Sequence, residues 1–443
     1  MSDQIFVIRE NIRRSSLFRR WALAVLGLLL PLCPALAQDV ISSPPTTPVV
    51  PAAVQEVQNN NPMQVFAPPP DTSPLVPLQW GPVTLHPHLD YQLSYGNGIQ
   101  AAPGQPHNTL ANQVSPGILF NVGDHWTLDY TPTFIFYSSS SFQNAVNQSV
   151  NLGWGSAYGD DWFFHGSQSY VSTSNPEVQT AAQTDQETYA TALNASYQFN
   201  EKMSLDMGLS QNLDYVGGGT TLTNQLQNLA NSKSWSTMEW LNYQFWPRFS
   251  AGLGAGFGYN QQDNSPDSIY EQYQGRVNWR ATDKISFQLS GGLQDQQYLS
   301  GGASGLLTPI FGGTIQYQPF DQTKLTVNAN RTVSNSSFQN QVTIITGVTA
   351  DLNQRLLGRL NLDLSGGYST TEYQASAVGL STSRNDNVFS FGARLSCPLL
   401  KRATVSVFYS YSNNASSQSG FATAGSGYGY TSSQGGLEIG YRY

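Results

Sequence analysis

The chain has 443 residues, a formal charge of -8 and only 11% charged residues, where soluble globular domains carry roughly 25%. Apolar residues make up 39% and aromatics 12%, with 40 glycines and 23 tyrosines, so polarity comes from Ser, Thr, Asn and Gln rather than from charge. This argues against an ordinary cytosolic enzyme. The acidic balance argues against a nucleic-acid binder, which needs a basic face, and two cysteines, Cys33 and Cys397, leave no disulfide framework.

Arg9, Arg13, Arg14, Arg19 and Arg20 precede an apolar run from Trp21 to Leu32, followed by the small-residue triplet Ala35-Leu36-Ala37. This pattern predicts a signal peptide over residues 1–37, cleaved before Gln38. The apolar run is too short for a helical anchor, which needs about 20 residues. A lipoprotein would use Cys33, but Leu32 occupies the place of the small residue expected before it. The next segment, 38–82, is rich in proline, including Pro44-Pro45 and Pro68-Pro69-Pro70, and reads as an extended periplasmic linker.

From Val83 the texture changes to alternating apolar and polar residues, the signature of strands with two unlike faces. Met203, Leu205, Met207, Leu209 and Leu213 alternate with Ser204, Asp206, Gly208, Ser210, Asn212 and Asp214. Trp126, Leu128, Tyr130, Phe134 and Phe136 do so against Thr127, Asp129, Thr131 and Thr133, and Leu360, Leu362 and Leu364 against Asn361, Asp363 and Ser365. Short turn signals fall at Gly123-Asp124, Gly159-Asp160, Asn200-Glu201, Trp246-Pro247, Thr282-Asp283, Asp321-Gln322, Leu356-Gly358 and Pro398-Lys401, a repeat of about 40 residues that fits one long hairpin plus one loop.

A soluble sandwich also alternates, so three further features decide. The strands look about 10 to 14 residues long, whereas globular strands average about 5 to 6. Short turns face longer loops at Asn97 to Leu110, Val216 to Ser234 and Ala415 to Tyr430, the asymmetry of outer-membrane barrels. The chain ends Leu437-Glu438-Ile439-Gly440-Tyr441-Arg442-Tyr443, alternating up to an aromatic terminus, so Tyr441 and Tyr443 are the candidate assembly signal. An opening strand around His86 to Tyr95, eight hairpins and a closing strand predict an all-β fold: a single transmembrane antiparallel barrel of about 18 strands, or 16, over residues 83–443. Closure follows from physics, because an open edge in lipid leaves backbone groups unpaired at several kcal/mol each.

The signal peptide, the spaced hairpins and the Tyr-Arg-Tyr end resemble the outer-membrane β-barrel porins of Gram-negative bacteria over residues 83–443. The texture is similar to the porin-2-like barrels, some of which are associated with exopolysaccharide loci. Glu438 departs from the assembly signal, which often has glycine five places before the end. The resemblance implies an outer-membrane location, passive transport or a part in polymer export, and no catalytic residue.

Parity places Asp129, Asp206, Asp214, Arg276, Arg280, Asp363, Arg394, Glu438 and Arg442 on the polar face as pore-lining candidates. They are sparse and mixed in sign, which suits a weakly selective channel for small hydrophilic solutes, since strong ion selectivity needs a ring of one sign. Bracing of the wall is the plain reading of any single one. Gly252, Gly254, Gly256 and Gly258 form a stripe on the inward face, expected to mark a barrel corner, with a docked loop or leader as the alternative. His86-Pro87-His88 offers two imidazoles, too few for a metal. His165 and Ser167 are spaced as in outer-membrane phospholipases, but Gln168 follows and no partnering Asn is specified, leaving a lipid hydrolase as a remote alternative. Trp126, Trp162, Tyr243, Trp279, Tyr409 and Tyr441 suit interface girdles. No cofactor or metal is expected. Expected partners are outer-membrane lipid and the barrel assembly machinery through the C-terminal strand. Small sugars or an exopolysaccharide are the candidate cargo, and a homo-oligomer is compatible with the sequence.

Overall fold

The computed structural model describes residues 78–97, 100–102, 105–174, 184–217, 230–336, 338–377, 384–417 and 429–443. The expected signal peptide lies outside them, as does the linker up to residue 77. Eighteen antiparallel strands form the wall. They are β1 (Val83–Gly96), β2 (Thr109–Val122), β3 (Trp126–Tyr137), β4 (Ala145–Tyr158), β5 (Trp162–Thr173), β6 (Gln186–Asn200), β7 (Met203–Val216), β8 (Ser232–Trp246) and β9 (Phe249–Gln262). The second half holds β10 (Ser268–Arg280), β11 (Ile285–Tyr298), β12 (Leu306–Phe320), β13 (Thr323–Asn335), β14 (Gln341–Leu356), β15 (Leu360–Ala375), β16 (Asn385–Leu400), β17 (Ala403–Ser416) and β18 (Tyr430–Arg442). Each strand pairs with its chain neighbours, and β18 closes on β1 from His88↔Arg442 to Gly96↔Gln434. Strands run from 12 to 16 residues, somewhat longer than the alternation alone suggests.

All eight short turns fall where the turn residues lie, and local chemistry explains several. Gly123, Gly159 and Gly358 have φ of 57°, 64° and 71°, the left-handed region that glycine enters without steric cost. At the β6–β7 turn the Asn200 Oδ1 accepts from the backbone N–H of Lys202 at 2.9 Å and of Met203 at 3.0 Å, an Asx turn. Thr282 does the same before β11, accepting from Lys284 and Ile285. The sheet begins earlier than Val83, because Leu78–Trp80 folds back on Val83 to Leu85, so the last five residues of the expected linker belong to the barrel edge.

The interior is inverted relative to a soluble domain. Buried residues are more often Ser, Thr, Asn and Gln than apolar, while Leu253, Tyr273, Val407 and Tyr368 are among many large apolar groups left exposed. Such an exterior is stable only against lipid. Aromatic rings gather in two bands on it. Near the short turns stand Trp126 with Trp154, Trp162 with Tyr197, and Trp279 with Phe287. Nearer the long loops stand Tyr170 with Tyr189 and Trp235 with Tyr259. These are the girdles of a transmembrane barrel.

Candidate channel lumen

The nine sequence candidates lie on the inner face of their strands, opposite the exposed apolar residues. The densest contacts belong to Asp206 and Arg276, which form an ion pair across β7 to β10. Asp206 also accepts from Ser196 Oγ at 2.5 Å and Asn242 Nδ2 at 2.8 Å, and Arg276 Nε donates to Asn242 Oδ1 at 2.8 Å. The Arg276 guanidinium stands 4.5 Å over the Trp240 ring, close enough for a cation–π contact.

That reach over three strands requires the glycine stripe. A Cβ on Gly252 would lie 2.5 Å from Asn242 Oδ1, one on Gly254 2.6 Å from the Trp240 ring, one on Gly256 2.7 Å from Met238 Sδ and one on Gly258 2.1 Å from the Tyr270 ring. The stripe is therefore a bed on which side chains of β8 and β10 lie flat. This adds a third explanation to the corner and the docked loop or leader expected from the sequence, and at Gly256 the Thr237 carbonyl of the adjoining strand also comes within 2.7 Å of the missing Cβ.

A second pair closes the seam. Arg394 Nη2 donates to Glu438 Oε1 at 2.7 Å and to Ser406 Oγ at 3.0 Å, joining β16, β17 and β18. Asp363 stands opposite Arg394 in the β15–β16 ladder but takes its hydrogen bond from Asn353 Nδ2. Asp214 accepts from Thr188 Oγ1 at 2.8 Å, Asn212 Nδ2 at 2.6 Å and Ser232 Oγ at 3.4 Å. Asp129 accepts from Thr131 Oγ1 at 3.1 Å, and that hydroxyl lies 3.0 Å from His88 Nε2. Arg280 and Arg442 end their strands at the short-turn side. Asp90, Lys324, Asp351 and Arg355 share the inner parity and were missed, as were the inward orientations of His86, His88 and His165. Period-2 alternation carried each of them, hidden by the His-Pro-His cluster or by a neighbouring turn.

His165 and Ser167 face inward on β5 and make no hydrogen bond among the described residues. Asn194 stands opposite His165, but its Oδ1 lies 3.3 Å from where a Cβ of Gly208 would be, leaning toward β7. The geometry holds no charge relay. No group of three metal-ligating side chains occurs among the described residues. Tyr441 faces outward, pairing with Leu89 and Ala403. Tyr443 donates its N–H to Pro87 O at 2.9 Å, and its ring lies 4.0 Å beneath the Arg402 guanidinium.

At the long-loop end the connections pack on one another. Arg384 and Asp386, each 4% exposed, pair through Nε at 3.0 Å and Nη2 at 2.5 Å. The guanidinium lies 4.4 Å from the Tyr373 ring and 5.6 Å from that of Phe338. Gln262 Nε2 donates to the carbonyls of Ser336 and Phe338, and Asn340 N to Ser265 Oγ at 2.7 Å. The 336–340 connection thus meets the tip of β9, and Gln294, Gln296 and Thr308 are buried on the intervening strands.

Residues 260–428 match the family described as "Putative beta-barrel porin 2". The family resemblance therefore stands, and with the closed barrel and its girdles it makes this an outer-membrane β-barrel. No curated protein matches. Similar solved structures include the siderophore receptor PiuA from Acinetobacter baumannii, at 10% identity over 81% of this chain and 82% of that one, TM-score 0.44. OccK11 (OpdR) of Pseudomonas aeruginosa is 10% identical over 81% and 95%, TM-score 0.40. A loop-deletion variant of OmpT from Vibrio cholerae is 14% identical over 82% and 99%, TM-score 0.32.

Proposed function

We propose that the protein is a passive channel for small hydrophilic solutes, weakly selective between ions, with both chain ends on the periplasmic side. One observation carries this reading: the inner wall is polar and its sparse charges are of both signs, with no ring of one sign. Asp206 pairs with Arg276 and Glu438 with Arg394, Asp129, Asp214 and Asp363 accept from neutral Thr, Ser and Asn side chains, and Ser, Thr, Asn, Gln and glycine make up much of the remaining surface. Selectivity filters work by unpaired charge of one sign, and the unpaired charges of this wall are of both signs. Hydroxyls and amides suit water and sugar hydroxyls equally. Swelling of liposomes containing the folded barrel tests it. Isotonic neutral monosaccharide should enter and large oligosaccharide should not, whereas exclusion of every solute by a folded barrel would overturn the proposal.

A second reading, an accessory barrel for exopolysaccharide export, is favoured by the packed connections around Arg384 and Asp386, where Phe338 meets both Arg384 and Gln262 at the long-loop end. It predicts solute entry only after Arg384→Ala loosens that packing, and is refuted by equal entry in both forms.

A further inference from the structure

We propose that the outer wall over β5 to β8 is a contact between two copies of this chain, related by a two-fold axis along the membrane normal. The starting observation is Glu239. It lies on the outer face of β8, midway between Trp235 and Tyr243, flanked by Met207 and Ala255 on the adjoining strands. It is exposed and makes no hydrogen bond or ion pair among the described residues. A carboxylate facing lipid between the two girdles is costly, and hydrocarbon offers it no donor. Across the barrel the wall at similar depth carries Phe391, Val407, Leu437 and Leu89.

Donors stand on the same wall. Thr191 Oγ1 lies 2.5 Å from Gln168 Oε1 and 3.5 Å from Gln211 Oε1, a polar row on the outer face of β5, β6 and β7. The single Thr191 hydroxyl proton goes to the nearer Gln168 Oε1. Gln211 Nε2 has no partner among the described residues, and Gln168 Nε2 makes only a 3.3 Å contact with Ser169 O. Depth matches too: Gln168 stands six residues from Trp162 and Glu239 seven from Trp246, each counted from the short-turn end of its strand. β5 and β8 flank β6 and β7, so a two-fold axis through the Leu193–Leu209 pair exchanges them. An isologous contact of this kind brings the carboxylate of each copy to the amide row of the other. Leu193 and Leu209, 48% and 50% exposed, pack at its centre.

The test is oxidative cross-linking in isolated outer membranes, in a Cys397→Ala background that removes the free thiol. Leu209→Cys lies on the proposed axis and Val407→Cys across the barrel, and heat modifiability on gels reports that each barrel is folded. Leu209→Cys should yield an adduct of twice the chain mass and Val407→Cys none. Adding Glu239→Leu to Leu209→Cys should lower the yield severalfold in a barrel that still folds. No adduct from folded Leu209→Cys, meaning lipid covers the wall, would overturn the proposal. So would equal adducts at both sites, or an adduct with the mass of a different protein.

Discussion

The wall at β7 to β10 and the seam at β16 to β1 solve the same problem differently. Both hold an arginine and a carboxylate on the inner face with one or two strands between them. At the wall, Gly252 leaves space for side chains to cross. At the seam, Arg394 reaches Glu438 directly and also donates to Ser406 between them, and glycine serves the backbone instead: a Cβ on Gly436 would lie 2.1 Å from Leu93 O. The lesson is that inward glycines of one barrel differ in kind, according to whether a side chain or a carbonyl occupies the missing Cβ.

The largest expected effect breaks this comparison at the seam. Gly436→Val collides with backbone that cannot step aside, so folded, heat-modifiable barrel should be lost. A Cβ on Gly252 meets the Asn242 side chain at 2.5 Å and the Leu241 carbonyl less tightly at 3.0 Å, so Gly252→Ala should fold while loosening the Asp206–Arg276 pair. Equal folding yields for the two would erase the distinction. The two faces of β7 are tested by a pair of neighbouring substitutions. Leu205→Asp puts a charge toward lipid near the short-turn end and should destabilise assembly by about 0–1 kcal/mol, read as a lowered midpoint in urea. Asp206→Leu, one residue on, should change conductance more than assembly.

At the mouth, Arg384→Ala leaves Asp386 buried and uncompensated, and losing one partner of such a pair costs about 3–5 kcal/mol. Because the loss falls on connections outside the membrane, it should appear as wider, noisier current and faster proteolysis of the 336–340 connection, with the strands intact. Smallest is Arg248→Ala. Its pair with Asp283 is 54% and 82% exposed, and such surface pairs contribute about 0–1 kcal/mol, so neither the urea midpoint nor the current should move measurably.

Much of this architecture is legible in one dimension because a strand's parity and its turn residues are local. Gly123, Asn200 and Thr282 announce turns by their own chemistry, and Leu205 beside Asp206 announces two faces. Partner choice is not local. Nothing near Asp206 names Arg276, seventy residues away, because the link depends on the register of four strands and on a glycine belonging to none of the charged residues. The mouth was equally hidden: Gln262 meets Phe338 only after five strands have curved the wall around. Asp90 was overlooked beside His86 and His88, although its parity is plain once β1 is seen to run from Val83 to Gly96.

On the proposed reading the barrel encloses a hydrated passage whose wall charges are of both signs, with Asp206–Arg276 and Arg394–Glu438 paired. Single-channel recording of the folded protein in planar bilayers under a salt gradient tests it most directly. The account predicts steady ohmic currents with a reversal potential near zero, and a shift toward anions in Asp206→Asn as Arg276 loses its partner. Silence from a demonstrably folded barrel, or strong preference for one ion sign in the unmodified chain, would contradict it.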